Sequence, residues 1–339
     1  YFWEIVTRQR SLALGGNSRR EHFPTKETCI DYVNDIDGPE TCNTYNMLKL
    51  TEDLNRVNHQ GMYGDFYETA IFNHILSAQH PEHGGYVYFT SARPRHYRNY
   101  SAPNKAMWCC VGTGMEDHGK YGQFIWTHDK GMKTEDDALY VNLFVASELN
   151  WKERKMVLRQ QTAFPYAETS NIEVTKGKGV FTLKIRKPLW CDNFTVKGVG
   201  FVVDCYEENG FVCIKRKWKK GDQVEISMPM HASIKPMINV PQYVAIMYGP
   251  ILLGMKSGTE DMRSLIADDS RFGQYAAGMK LPLDKAPILL PKHLNDIAKD
   301  LKPIPDKPLH FKLATHMENV INGELQPFFE IHDSRYMMY

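Results

Sequence analysis

The pattern of apolar and polar positions changes near residue 139. Before that point apolar residues recur at helical spacing, and they predict helices over residues 40–58, 65–78 and about 115–125. After it the period becomes two, which predicts short strands separated by Gly-rich turns. Helices followed by strands indicate an α+β protein with more than one domain.

The start of the first predicted helix carries residues that suit a chemical site. Pro39 stands near the first helical position, where proline is tolerated, so we expect Glu40 and Cys42 in the first turn. A helix N-terminus favours a carboxylate and a thiolate. In the second helix, His74 lies on the apolar face as a core histidine would, and Glu68 lies beside that face. The pattern alone leaves Glu68 open between a solvated carboxylate and a binding residue.

The second half of the chain reads as strands. Eight segments alternate, over residues 139–145, 156–162, 172–175, 180–186, 194–196, 211–217, 223–228 and 243–247. Many short strands at this spacing predict an antiparallel β-sandwich. Two shorter strands are predicted, over residues 84–89 and 328–331. The predicted domains are therefore residues 1–135, mainly helical, residues 136–255, the β-sandwich, and residues 256–339, a loop-rich segment that returns to β structure.

Composition excludes several classes of partner. The 339 residues carry a net charge of +1, and their basic residues are dispersed apart from residues 215–220, which read as a strand end and its turn. We expect no nucleic-acid partner. No apolar run approaches the roughly 18 to 20 residues of a membrane span, and these residues show no signal-peptide pattern. The seven cysteines lack the spacing of a disulfide framework, and Cys191, Cys205 and Cys213 are expected to be buried.

Two short motifs carry the candidate chemistry. Glu40-Thr41-Cys42 and the adjacent pair Cys109-Cys110 offer three thiols and a carboxylate. Adjacent cysteines bond poorly to each other, because the small ring strains both the peptide bond and the disulfide. Thiolates with one harder ligand suit zinc, which also holds a thiol in its nucleophilic form. The spacing differs from that of zinc ribbons and leaves open whether the site is structural or catalytic.

The same motifs resemble those of the cysteine-dependent β-L-arabinofuranosidases, a family formerly known only as a domain of unknown function. The resemblance rests on Glu40-Thr41-Cys42, on the run from Trp108 to Gly122, and on Gly15-Gly16 followed by Arg20-Glu21-His22-Phe23. It extends through most of the chain. A second Glu-Thr-Cys stands at residues 27–29, but only the later copy continues into a segment, residues 43–50, that resembles the family's helix.

The resemblance implies a retaining glycosidase that releases L-arabinofuranose, or a similar furanose, from plant-type glycans. It implies that Cys109 is the nucleophile and Glu21 the acid/base. The other implied roles are Zn²⁺ ligation by Glu40, Cys42, Cys109 and Cys110, and sugar binding by Glu68 and Tyr88. Residues 1–135 would be the C-terminal part of an (α/α)6-type six-hairpin barrel. As an acid, Glu21 requires burial or nearby negative charge to stay protonated, and Glu27 is the second choice.

Both ends of the chain look cut, so we expect a fragment of a longer protein with helices before Tyr1 and strands after Tyr339. The resemblance favours a periplasmic or exported bacterial enzyme that acts on an arabinose-containing glycan, while a cytoplasmic location stays open. The sequence does not indicate the oligomeric state.

Other interpretations also follow from the residues. A zinc-stabilised protein that binds carbohydrate without cleaving it would keep the same quartet as a closed site. A thiol redox protein is disfavoured because no CxxC is present. The Gly-Thr-Gly turn predicted at residues 112–114 lacks the strand and fingerprint of a nucleotide-binding loop. In the aromatic and cationic loop over residues 93–97, we expect Arg93, Arg95 and His96 at the surface.

Overall fold

The computed structural model describes residues 1–270, 272–290, 294 and 297–339 and has an α+β fold. The described helices are α1 Phe2–Gln9, α2 Asp31–Asn34, α3 Thr41–Val57, α4 Gly61–Ala70, α5 Cys109–Gly119 and α6 Ile297–Asp300. Two compact units are present: unit 1 comprises residues 1–51, 66–118 and 231–339, and unit 2 comprises residues 52–65 and 119–230. None of the described helices combines the length and apolarity needed to cross a bilayer.

The first predicted helix is confirmed as α3, with one correction. The helix begins at Thr41, so Glu40 lies immediately before it instead of within its first turn. Glu40 instead pairs with Phe89 in an isolated β-bridge, and the backbone N–H of Thr41 donates to the Tyr88 carbonyl at 3.0 Å. The expected strand over residues 84–89 is wrong, because this segment forms only isolated bridges, including the one that fixes the start of α3.

The second predicted helix begins earlier than expected, at Gly61, and leaves α-helical geometry after Ala70. A π-helical turn, Ile71–Ile75, and a 3-10 turn, Leu76–Ala78, follow. Asn73 explains the break: its side chain donates to the Thr69 carbonyl at 2.9 Å and to the Pro250 carbonyl at 2.8 Å. Its side-chain oxygen accepts from the backbone of Leu252 at 2.8 Å. The amide thus replaces helical pairing with contacts to a neighbouring strand.

The third predicted helix is displaced toward its N-terminus. It begins at Cys109, so the expected Gly-Thr-Gly turn lies inside α5. The reason is close packing, because a Cβ placed on Gly114 would lie 2.4 Å from the Tyr86 ring. Glycine therefore lets this helix approach Tyr86, and the cysteine pair stands in its first turn.

Unit 2 contains two five-stranded sheets. One has the order β1-β2-β6-β9-β8 and the other β3-β4-β5-β10-β7. Their strands are β1 Trp126–Asp129, β2 Ala138–Val141, β3 Ser147–Trp151, β4 Met156–Thr162, β5 Thr169–Lys176, β6 Lys178–Arg186, β7 Thr195–Gly198, β8 Tyr206–Glu208, β9 Phe211–Lys219 and β10 Gln223–Ser227. The two sheets touch where the rings of Trp151 and Phe181 meet edge to face at 5.3 Å. One pair departs from the antiparallel expectation, because β2 and β6 run parallel.

Unit 1 contains a larger sheet of order β11-β12-β13-β18-β16-β15, with β19 also paired to β13, and a small β14-β17 pair. Its strands are β11 Ala232–Met237, β12 Val240–Tyr248, β13 Ile251–Lys256, β14 Ile288–Leu289, β15 Lys302–Pro303, β16 Phe311–Lys312, β17 Met317–Glu318, β18 Glu324–Pro327 and β19 Tyr336–Met337. Each of the eight strand segments predicted over residues 139–247 coincides with a strand, although the first of them ends at Val141 and not at residue 145. The strand expected over residues 328–331 is wrong: Phe328–Glu330 form a 3-10 turn in which Phe328 and Phe329 are both buried.

The core of unit 1 draws on both ends of the chain. Leu12, Leu14 and Val33 from the first segment pack with Leu252 and Phe328 from the last. The region that carries the candidate site and the C-terminal sheet therefore share one hydrophobic core, and each supports the position of the other.

Candidate active site

The cysteine pair opens α5, with its two members in different surroundings. The Cys110 side chain is fully buried, whereas Cys109 is exposed. The first N–H groups of a helix point toward such a site and favour negative charge there. Cys110 is thus placed to bind a metal ion inside the protein, and Cys109 is placed to meet a molecule from solvent.

The start of α3 brings the other two predicted ligands to this pair. Glu40 and Cys42 are both buried, and the backbone N–H of Glu40 donates to the buried Ser18 hydroxyl at 3.0 Å. The Thr41 hydroxyl donates to the Val87 carbonyl at 2.8 Å. These bonds fix the backbone on both sides of the Glu40 carboxylate.

The four side chains form one cluster. Their ligand atoms all lie within 4.8 Å of one another. The Cys42 and Cys110 sulfurs are 3.1 Å apart, and Glu40 Oε1 lies 3.7 Å from Cys109 Sγ and 3.9 Å from Cys110 Sγ. A tetrahedral zinc ion with metal–sulfur bonds of about 2.3 Å requires edges of roughly 3.4 to 3.8 Å between its ligand atoms. The four side chains therefore form a group that could hold a metal ion.

The electrostatics of the cluster concentrate negative charge on Cys109. A hydrogen bond from Cys110 is the main factor that lowers the pKa of Cys109 to about 5, against the opposing effect of partial burial, and the Tyr88 hydroxyl and Cys42 add to it. Burial raises the pKa of Cys110, so this thiol keeps its proton. Burial, followed by the charges of Cys109 and Glu21, raises the pKa of Glu40 to about 7. Without a metal ion, Cys109 is the thiolate of the group.

Glu21 lies at the tip of a tight turn that faces the cluster. Arg19 and His22 pair through both backbone hydrogen bonds, at 2.8 and 3.0 Å, and Arg20 and Glu21 between them adopt φ values of 49° and 66°. Two consecutive positive φ values define a type I′ turn, which usually contains Asn or Gly. The Glu21 side chain is exposed, so the burial expected to keep it protonated is not found.

Ion pairs hold this turn in its unfavourable conformation. Arg19 bridges Asp31 at 2.9 Å and Asp35 at 2.8 Å, while Arg20 contacts Asp37 at 2.8 Å. Asp37 is buried and stands three residues before Glu40. The turn that carries Glu21 is therefore tied to the segment that carries a candidate ligand.

Tyr88 joins the two predicted catalytic groups. Its hydroxyl donates a hydrogen bond to Glu21 Oε1, and it lies 3.5 Å from Cys109 Sγ. Burial, together with Cys109 and Glu21, raises the pKa of Tyr88, so the phenol stays protonated. The Tyr88 hydroxyl oxygen thus lies between the carboxylate and the sulfur.

Other predicted residues lie elsewhere in unit 1. Glu68 is buried within α4 and is not the solvated carboxylate that its pattern allowed. Glu27 is exposed, and hydrogen bonds from its own backbone and from Thr25 lower its pKa. His74 is fully buried, with a ring nitrogen 2.8 Å from the Thr44 hydroxyl, as expected of a core histidine. Cys29, two residues after Glu27, is buried in the hydrophobic core.

Two expectations about exposure are wrong. Arg93 and His96 are buried instead of exposed, because each pairs with backbone carbonyls: Arg93 with that of Val33 at 2.8 Å, and His96 with that of Ala276 at 3.0 Å. Cys205 is exposed, whereas Cys191 and Cys213 are buried as expected. Cys205 precedes β8 in a segment without strand pairing, so nothing covers it among the described residues.

Sequence reasoning missed three residues that complete the site. Thr113, one helical turn after Cys109, has its hydroxyl 3.3 Å from Cys42 Sγ, a position that helical spacing alone could have indicated. The Trp108 ring lies 6.0 Å from that of Tyr88. Tyr275 stacks on Phe89 at 5.3 Å, and no local signal could have joined residues so far apart in sequence.

Comparisons with known proteins show which families the chain resembles. Models of the GH127 β-L-arabinofuranosidase catalytic and middle domains match residues 1–123 and 138–230. A model described as a domain of unknown function matches residues 233–339. Comparison with curated proteins gave no match.

Solved structures share the fold. A GH127 β-arabinofuranosidase superposes with a TM-score of 0.69 at 18% identity, over 99% of this chain and 54% of that one. A GH127 β-L-arabinofuranosidase from Geobacillus stearothermophilus T6 gives 0.68 at 19%, over 99% and 55%. A protein described as a glycoside hydrolase gives 0.66 at 20%, over 99% and 60%. The chain thus spans between 54% and 60% of these proteins. Since the catalytic-domain and middle-domain models together cover most of its residues, the chain belongs to the GH127 β-L-arabinofuranosidase family.

Proposed function

We propose that this protein is a retaining glycoside hydrolase that releases L-arabinofuranose, or a similar furanose, from plant-type glycans. Family membership supports the reaction class. The chemistry of Cys109 and Glu21 supports the more specific proposal of a thiolate nucleophile and a carboxyl acid/base. Glu68 and Tyr88 are proposed to bind sugar hydroxyls, and residues 1–135 to belong to a helical barrel. We also propose that the protein acts outside the cytoplasm.

The observation that carries the proposal is the position of the Tyr88 hydroxyl between Glu21 and Cys109. Groups that share one hydroxyl lie at most about 6 Å apart, given ordinary hydrogen-bond lengths. In retaining glycosidases, the nucleophile and the acid/base lie roughly 5 to 5.5 Å apart, whereas inverting enzymes leave a wider gap for water. This spacing favours direct attack by Cys109.

These four side chains would hold Zn²⁺: Glu40, Cys42, Cys109 and Cys110. Three thiols and one carboxylate form a donor set that binds zinc in preference to harder metal ions. When bound, zinc would keep the thiols ionised and oriented. The buried Cys110 and Cys42 would retain it while the exposed Cys109 acts on the sugar.

The reaction follows from the two groups. Glu21, as the acid, donates its proton to the leaving oxygen while Cys109 attacks the anomeric carbon, and the glycosidic bond breaks as a carbon–sulfur bond forms. Glu21, now a carboxylate, takes a proton from water, which attacks the same carbon and returns the thiolate. Two displacements give retention of configuration. Tyr88 would donate to whichever of the two groups carries negative charge.

Hydrolysis of a nitrophenyl β-L-arabinofuranoside by the intact gene product tests this proposal. Cys109→Ala is expected to lower kcat by at least about 10³-fold, and Glu21→Gln by roughly 10² to 10⁴-fold, because the first removes the nucleophile and the second the proton donor. Cys205→Ala and Glu27→Gln are matched controls, an exposed cysteine and an exposed glutamate, and should retain activity.

A zinc-loaded wild-type protein that is inactive on this and related furanosides would contradict the proposal. The quartet would then be structural, and binding of plant glycans without cleavage would be the next property to measure.

A further inference from the structure

The segment matched by the domain of unknown function reaches the candidate active site. Tyr275, within residues 233–339, packs against the aromatic wall formed by Tyr88, Phe89 and Trp108, beside Cys42 and Cys110. Its ring stacks on Phe89 with an interplanar angle of 29°. The adjacent Tyr88 ring, 4.5 Å from Phe89, bears the hydroxyl that contacts Glu21.

The loop that carries Tyr275 is anchored by buried polar side chains. Asn99 donates to the Gly273 carbonyl at 2.5 Å, and His96 contacts the Ala276 carbonyl at 3.0 Å. The Tyr97 hydroxyl accepts from the backbone of Gly278 at 2.7 Å. The loop is therefore fixed to residues 96–99 on both sides of Tyr275. The ring is held at a defined place and not on a free surface loop.

Part of the Tyr275 ring stays open to solvent beside the aromatic wall. The ring is only partly buried, and the charges of Asp37, Glu21 and Arg20 act on its phenol. In the described part of the chain, no hydrogen bond to this hydroxyl is found. An aromatic face with an available hydroxyl is the combination that binds a sugar, which presents both C–H faces and hydroxyl edges.

We propose that Tyr275 contacts the leaving-group sugar. The segment matched by the domain of unknown function would then take part in substrate binding. This inference rests on the proposed function. The acid that protonates the leaving oxygen lies on the leaving-group side of the scissile bond, and Tyr275 packs in the same aromatic cluster as Tyr88, whose hydroxyl contacts Glu21. Its ring packs on the departing sugar and its hydroxyl donates to a hydroxyl of that sugar.

The test compares two substrates with alkyl leaving groups of different size. Methyl β-L-arabinofuranoside has no ring beyond the scissile bond, whereas the β-L-arabinofuranosyl disaccharide of arabinose does. We expect Tyr275→Ala to lower kcat/KM on the disaccharide about tenfold, the effect of one lost sugar contact, and to leave the methyl glycoside within about twofold. Tyr275→Phe, which keeps the ring, should lose less. Tyr206→Ala, which removes an exposed tyrosine of unit 2, is the matched control.

Equal losses on both substrates would overturn the inference, because a structural role does not depend on the leaving group. If Tyr275→Ala cleaves the disaccharide as fast as the wild type does, the inference is also overturned. The proposed function would still stand in that case, because the wild type is active. Failure of the wild type on both glycosides and on the nitrophenyl furanoside would overturn both.

Discussion

Cys109 differs from the other described cysteines by its combination of exposure with contacts that stabilise negative charge. Its neighbours Cys110 and Cys42 are buried, and only Cys109 among the three meets solvent. Hydrogen bonding from Cys110 and Tyr88 and the N-terminus of α5 all favour its thiolate. In the proposed mechanism, this difference between two adjacent residues would separate metal binding by Cys110 from nucleophilic attack by Cys109.

This difference predicts the pH dependence of alkylation. In chelator-treated protein, iodoacetamide should modify Cys109 with a rate that falls only as the pH drops through about 5, because the reactive thiolate persists down to its lowered pKa. Mass spectrometry of the peptide that carries Cys109, with free glutathione as the reference thiol, checks this expectation. An inflection near the ordinary value of about 8.5 would contradict it.

At the scale of elements, the site is built from two helix N-termini and one type I′ turn. α3 supplies Cys42, the bridge residue just before it supplies Glu40, α5 supplies the cysteine pair, and the turn supplies Glu21. The turn stores strain at Arg20 and Glu21 of about 1 kcal/mol or more each, since non-Gly residues rarely adopt positive φ. The ion pairs with Asp31, Asp35 and Asp37 offset that cost.

Two glycines of α5 give a matched test of how this helix is positioned. Gly114→Ala should destabilise the fold by about 1 to 3 kcal/mol, because its Cβ would clash with the Tyr86 ring. Gly112→Ala meets nothing within 4 Å and should stabilise the helix by about 0.5 to 1 kcal/mol. Chemical denaturation of both variants measures the difference, and equal effects of either sign would refute the packing argument.

Local pattern predicted these elements only in part. The ligands were identifiable because Glu-Thr-Cys and Cys-Cys are short motifs, and α3 and the eight strand segments followed from periodicity. The start of α5 was misplaced, because glycines at 112 and 114 read as a turn until Tyr86 is known to pack against Gly114. The break after α4 depends on Asn73 and a strand about 180 residues later, which no local pattern contains.

At the scale of the whole molecule, unit 1 is assembled from three separate stretches of chain. Arg335 is one of the groups that join them. Its fully buried guanidinium donates to the carbonyls of Glu260 at 2.6 Å, Arg95 at 2.7 Å, and Asp261 and Met279 at 3.0 Å. The Arg335 side chain thereby connects the stretch over residues 66–118 with the stretch over residues 231–339.

Arg335→Lys is therefore expected to lower the free energy of unfolding by about 2 to 4 kcal/mol, because an ammonium cannot reach four carbonyls in a planar arrangement. Arg263→Lys, at an arginine whose side chain is 69% exposed, should change it by less than about 0.5 kcal/mol. Denaturant titrations of the two variants supply the comparison. A mild effect at Arg335 would mean that the two segments do not depend on this connection.

The measurement that tests the central claim most directly is the capture of a sugar on Cys109. Glu21→Gln should still react with a dinitrophenyl β-L-arabinofuranoside, whose leaving group needs no proton, but it should hydrolyse the product slowly because the general base is missing. Peptide mass spectrometry after rapid acid quenching is expected to find one pentosyl group on the peptide that carries Cys109, and none in Cys109→Ala. A pentosyl group on a carboxylate, or undiminished turnover by Cys109→Ala, would contradict a thiolate nucleophile.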